Sequence, residues 1–167
     1  MHIVITRPKE DSAQLIEVLK NQEYDAIVLS LAGIQMLSLI KQVKEVFTIE
    51  QMLPAIGQGA IALQCQKDDQ KTLNILKSIN DKETFYCIQA ERALLEAIGG
   101  DCDTAIGGLA KLSNDKISLK SELFSNDGKK KFEFQSSGHF SEAKEIGYKV
   151  GKELLKKAGP DFTTQER

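Results

Sequence analysis

Residues 80–159 alternate in a way that leaves few folds open. NDKETFYCIQAERALLEAIGG (80–100) reads as one helix. Asn80 with Glu83 three residues on approximates a capping box at its start. The pair Gly99-Gly100 marks its stop, because glycine reaches the left-handed conformation that ends helices. TAIGGLAKLS (104–113) and KISLKSELFS (116–125) alternate apolar and polar residues as strands do. NDG (126–128) is a hairpin turn, and KKKFEFQSS (129–137) continues the sheet. SEAKEIGYKVGKELLKKAG then starts a helix at Ser141 and stops it at Gly159-Pro160, with Ile146, Val150 and Leu154 as its apolar stripe. A helix, three antiparallel strands and a second helix suffice for a small α+β module.

The first 79 residues follow another rhythm. HIVIT (2–6) reads as a short strand and PKEDSAQLIEVLK (8–20) as a helix. YDAIVLSLAG (24–33) is a continuous apolar run, as a strand buried on both faces requires. Met36, Ile40, Val43 and Phe47 fall at helical spacing over 33–47. LPAIGQGAIALQCQ (53–66) reads as a glycine-punctuated loop leading into a strand. DDQKTLNILKSIN (68–80) reads as a short helix with Leu73, Leu76 and Ile79 on one face. The expected class is therefore α/β, an incomplete βα layer over 1–79 followed by the α+β module over 80–167.

Composition narrows the function. A net charge of −2 supplies no basic field for nucleic acid. No apolar run approaches the roughly 20 residues of a membrane helix. MHIVITRPKED lacks the pattern of a signal peptide, so a cytoplasmic location is expected. There the three cysteines are reduced and are read singly, not as a disulfide set. There is no CxxC pair, and the histidines are His2 and His139, so no metal site is expected.

Two turns carry possible chemistry. In EAIGGDCDTAIGG (96–108), Cys102 lies between Asp101 and Asp103, just past Gly99 and Gly100. The glycines allow a bend and leave room for a bulky adduct. The aspartates raise a thiol pKa and do not activate it. By its residues alone the cysteine is either a small buried turn residue or a reactive thiol over a cleft. Gly57-Gln58-Gly59 can cradle an anion on backbone N–H groups or be a plain tight turn. Cys65, in the expected strand, and Cys87, on the helix face with Ala90 and Leu94, are expected in the core. Glu91 and Arg92 either anchor this helix to a neighbouring domain or form a solvated pair.

YDAIVLSLAGI, LPAIGQGAIALQCQKDD, AERALLEAIGGDCDTAIGGLAKL and SNDG stand in one order. In that order they resemble porphobilinogen deaminase, also called hydroxymethylbilane synthase, from about Glu23 to Gly159. The resemblance implies tetrapyrrole biosynthesis: four porphobilinogens condense head to tail, with loss of ammonia, on a cysteine-linked dipyrromethane. It implies Cys102 as the attachment residue, with Gly99, Gly100, Gly57, Gln58 and Gly59 near the cofactor, and porphobilinogen and its oligomers as small-molecule substrates. It also places residues 80–167 as the family's third, cofactor-attachment domain, with 1–79 as a remnant of the other two.

Departures from the family pattern bear on activity. Asp101 intervenes before the cysteine, and Ala105 stands near a usual proline. Gln64 and Gln66 replace a usual acid and arginine, and Gln35 and Met36 stand where a basic residue is usual. Binding acid-bearing pyrroles calls for several arginines. This chain has Arg7, Arg92 and Arg167, and no counterpart of the family's catalytic carboxylate. The catalytic residue stays unassigned, and a second chain supplying further domains is an expected partner. HIVITRPKEDSAQLIEVL (2–19) resembles the opening of uroporphyrinogen-III synthase, equally an arbitrary βα start. The alternatives are a non-catalytic module that pairs with another chain, and a synthase-like protein.

Overall fold

A computed structural model of the chain describes residues 28–36, 38–101, 104–125, 127–159 and 162. The expected elements at 2–6 and 8–20 lie outside these. The chain divides into two compact units, residues 1–48 and 49–167.

In the first unit, α1 spans Leu31–Met36 and a single 3-10 turn spans Ile40–Gln42. Residues 31–33 are thus helical, where the sequence pattern predicts a strand, and no ladder partner is present among the described residues. A strand lives by its neighbours, whereas LAGIQM can satisfy its own backbone. The predicted helix over 33–47 also fails. Ser38 takes a left-handed φ of 57°, and α1 closes with Ser38 N–H donating to Gln35 O and Leu39 N–H to Ile34 O. Ile40 and Phe47, meant for one stripe, are both exposed.

The second unit holds the α+β module. Helix α2 spans Gln70–Ile79, capped by Asp69, whose carboxylate accepts from Thr72 N–H. Helix α3 spans Lys82–Ala97. Its cap is Asp81, accepting from Thr84 N–H at 2.7 Å, and not Asn80 as the spacing to Glu83 suggests. Strands β1 (Ile106–Ser113), β2 (Lys116–Phe124) and β3 (Lys131–His139) form one antiparallel sheet in the order β1-β2-β3. The first hairpin turns on Asn114 and Asp115, both at positive φ, the geometry that suits strand twist. Helix α4 spans Ala143–Ala158, after a 3-10 turn over Phe140–Glu142 capped reciprocally by His139 and Glu142.

Both long helices lie on one face of the sheet. The core joins Ala90, Leu94 and Ile98 of the α3 segment, Ile117, Leu119 and Leu123 of β2, and Ile146, Val150 and Leu154 of α4. The stripe Ile146-Val150-Leu154 is where its periodicity puts it. Contact between the helices is closer than large side chains allow. A Cβ on Gly151 would stand 2.5 Å from Ala97 Cβ, and one on Gly147 would stand 2.7 Å from Ala93 Cβ. Two small-residue rows thus face each other, Ala90, Ala93 and Ala97 against Gly147 and Gly151.

The stretch 60–66, expected to enter a strand, carries none. Ile61 is 91% exposed and Leu63 59%, so the apolar run is laid open to solvent. A two-sided buried strand needs a flanking strand on each side. None of the described residues provides one. Cys65 is accordingly half-buried and not a core strand residue.

Candidate functional site

Helix α3 ends where its glycines dictate. Gly99 stands at φ 64°, its N–H donating to Glu96 O at 3.1 Å, and Gly100 N–H donates to Leu95 O at 3.0 Å. These two bonds close the helix in a Schellman motif. A Cβ at Gly100 would stand 2.8 Å from Leu95 Cδ1 and 3.0 Å from Thr104 Oγ1, so glycine is needed there for space. Asp101 N–H then donates to Thr104 Oγ1 at 2.8 Å, and Thr104 N–H to Asp101 O at 3.3 Å. Asp101 and Thr104 are tied to each other. Cys102 and Asp103, between them, lie outside the described residues.

The other candidate turn is bound to the same helix and to β1. Gly57 and Gly59 both adopt positive φ, 73° and 88°. Gly57 N–H donates to Glu91 Oε2 at 2.8 Å, and Gln58 N–H donates to Ala55 O at 3.0 Å. The anion held by Gly57 is therefore the protein's own carboxylate. Gln58 has an exposed side chain. Just before the turn, Pro54 O accepts from Gly108 N–H at 2.9 Å. Leu53 and Ile56 crowd Gly107 and Gly108 so closely that added Cβ atoms would stand 2.9 Å from Leu53 Cβ and 2.5 Å from Ile56 Cδ1. The IGG of β1 is what admits the 53–57 segment.

Glu91 is 4% exposed and serves two partners. Its Oε1 accepts from Ala110 N–H at 2.9 Å while its Oε2 holds Gly57. One turn earlier on α3 stands Cys87. The amides of Gly108 and Ala110 thus find Pro54 and Glu91 along the edge of β1 that β2 does not use. A buried amide left unpaired there costs about 1–3 kcal/mol. Burial pushes the Glu91 carboxyl above its usual range, against the lowering effect of the Ala110 and Gly57 amides. Burial first, and then the charge of Glu91, push the Cys87 thiol up, which makes it a poor nucleophile. Cys87 is half-buried against the core, while Arg92 is exposed. The pair read from the sequence is split, one member in the interior and the other in solvent. Glu91 was legible as a buried residue, since it sits four residues after Cys87 and three before Leu94, within their apolar face.

The structure therefore brings the 53–59 segment, Glu91 and β1 into one assembly, with the Gly99-Gly100 turn at the far end of α3. No group of His, Cys, Asp and Glu suited to a metal is present among the described residues. No helix among them is long and apolar enough to cross a membrane.

Two family models match this chain. One, described as porphobilinogen deaminase, C-terminal domain, matches residues 85–156. The other, described as porphobilinogen deaminase, dipyromethane cofactor binding domain, matches residues 12–74. The chain belongs to the porphobilinogen deaminase family. A porphobilinogen deaminase of Coxiella burnetii (strain CbuG_Q212) is 42% identical over 136 residues, 81% of this chain and 44% of that protein. One of Syntrophomonas wolfei is 33% identical over 152 residues, 91% of this chain and 50% of that protein. One of Macrococcus caseolyticus is 39% identical over 137 residues, 81% of this chain and 44% of that protein. The chain spans about half the length of the curated relatives it matches. The deaminase match begins at residue 12, earlier than Glu23, and takes in residues 12–19 of the stretch likened to the synthase.

Proposed function

We propose that this chain carries the cofactor-attachment module of a porphobilinogen deaminase and serves tetrapyrrole biosynthesis. The observation that supports it is the match of two deaminase models, in order, to segments that carry the Gly57–Gly59 turn and the Gly99–Cys102 turn. In this reading Cys102 takes the dipyrromethane as a thioether, and its substrates are porphobilinogen and its oligomers in the cytoplasm. When bound, the dipyrromethane supplies the pyrrole carbon to which porphobilinogen units add with loss of ammonia. A single thiol beyond a tightly closed glycine pair fits such an adduct chemically. Gly99 ends α3 sharply, in a left-handed turn that glycine takes at low cost. Glu91 holds the Gly57–Gln58–Gly59 turn, and Cys87, with its raised pKa, does not compete as a thiolate. Three arginines are few for a chain of acid-bearing pyrroles, so turnover by this chain alone is expected to be slight.

A second reading is favoured by the exposure of Ile61 and Leu63. The chain then acts as a module that pairs with another chain supplying further domains.

The test is reaction with preassembled hydroxymethylbilane, then intact-mass measurement and peptide mapping. Label is expected on Cys102 before Cys65 or Cys87. Label on either of those with Cys102 free would overturn the assignment. Hydroxymethylbilane formation from porphobilinogen is expected to be little or none, and full turnover would refute the argument from its arginines.

A further inference from the structure

Glu91 answers to no requirement of helix α3 itself. A helix interior satisfies its own backbone, and burying a carboxylate is costly unless it is fully hydrogen-bonded. Here each oxygen has its own backbone partner, Gly57 N–H at 2.8 Å and Ala110 N–H at 2.9 Å. Those partners lie on different segments, 34 and 19 residues away in sequence. An apolar residue would fill the same space but accept neither bond. A glutamine would offer one oxygen and one NH₂ group, and the latter meets an N–H with another donor. The arrangement therefore selects for an ionised or at least doubly accepting carboxyl group.

We propose that Glu91 is the positioning residue of the Gly57–Gln58–Gly59 turn, clamping it to the edge of β1 so that Gln58 is presented in one fixed orientation. The proposal rests on the deaminase reading in treating that turn as part of the site. Three features converge on it. Gly57 needs its positive φ to aim its amide at the carboxylate. Pro54 and Gly108 fix the preceding residues at the next amide along β1. Gly108 lacks the Cβ that would collide with Ile56. Beyond Gly59 such fastening ends, with Ile61 and Leu63 in solvent. Glu91 thus ties the turn to α3 and β1 just before the exposed stretch that carries Ile61 and Leu63. Its raised pKa has no contribution from a charged side chain. The titratable neighbour on the same helix is Cys87; the 53–59 segment and β1 present backbone amides to it.

The experiment follows the Gly57 and Ala110 amides by ¹⁵N–¹H NMR through a pH titration, in the full chain and in Glu91→Gln. In the wild type both amide shifts should move together, with one midpoint above the ordinary range for glutamate. In Glu91→Gln neither should titrate, and at least one of the two should exchange with solvent at least tenfold faster. The amides of β2 and α4 report that the variant is folded. Glu91→Asp, one methylene shorter, should keep one of the two protected amides and lose the other, which a general packing role would not single out. Amides of Gly57 and Ala110 that ignore pH, or that are unchanged in Glu91→Gln, would overturn the proposal. Cys102 labelling by hydroxymethylbilane is measured in parallel and is expected to slow in Glu91→Gln. Unchanged labelling with both amides released would overturn the positioning role. Failure of the wild type to label, with the amides behaving as expected, would strike at the deaminase reading and leave the clamp supported.

Discussion

Replacing Gly147 by alanine sets two effects of known size against each other. In an exposed helix interior the change from glycine to alanine stabilises by about 1 kcal/mol. Gly147 is instead buried in the α3–α4 contact. The new methyl would overlap the Ala90 carbonyl oxygen and stand 2.7 Å from Ala93 Cβ and 2.9 Å from Leu94 N. Two of these three atoms are backbone, so no rotamer change relieves them. The helices must separate by the better part of an ångström, which loosens Leu94 against Val150 and Ile146. Overpacking of this kind costs about 1–3 kcal/mol, and a backbone obstacle places it at the upper end. After the propensity gain, a net loss of about 2 kcal/mol remains, or about 30-fold in the folding equilibrium. Urea unfolding followed by circular dichroism measures it. Lys149→Gly, on the exposed face of the same helix, calibrates propensity alone and should cost about 1 kcal/mol. If Gly147→Ala matches or exceeds the wild type in stability, the close helix contact does not govern this module.

A parallel contrast holds within β1. Gly107→Ala should cost more than Gly108→Ala, because the first meets Leu53 Cβ and backbone at 2.9–3.2 Å while the second meets the movable end of Ile56; equal midpoints in urea would refute this. The raised Glu91 carboxyl gives stability that is full below the unfolded glutamate value, about 4.3, and falls as pH rises through the higher folded value. Glu91→Gln should therefore remove a falling component from the stability–pH curve, visible as a difference in slope between the two proteins just above pH 4. Asp81 has the opposite sign: its carboxyl is lowered by the Thr84 amide, so its cap stabilises above the unfolded value and is lost in acid. Asp81→Ala should flatten that rise, as thermal melts from pH 2 to 5 would register.

The local signals in this sequence decide much of what local physics governs. Gly99-Gly100 ends α3 because only glycine takes the left-handed turn at low cost there. The period-two runs follow one another closely enough to supply each other's ladder partners as three antiparallel strands, and the Ile146-Val150-Leu154 stripe faces the core. A helix cap is likewise local, yet Asp81 displaces Asn80, because one residue of register decides which side chain reaches Thr84 N–H. The apolar run over 24–33 predicts a strand yet is helical at 31–33, and the loop over 53–66 leads into no strand at 60–66, for a deeper reason. An apolar run states that burial is wanted but not that ladder partners exist, and a strand without partners has nowhere to send its backbone hydrogen bonds. Glu91 marks the same boundary. Its spacing to Cys87 and Leu94 put it on the buried side of α3, but its partners come from Gly57 and Ala110, far away in sequence. Which amides the edge of β1 leaves unpaired, and which segment crosses that edge, is settled only when the helix, the sheet and the 53–59 segment pack together.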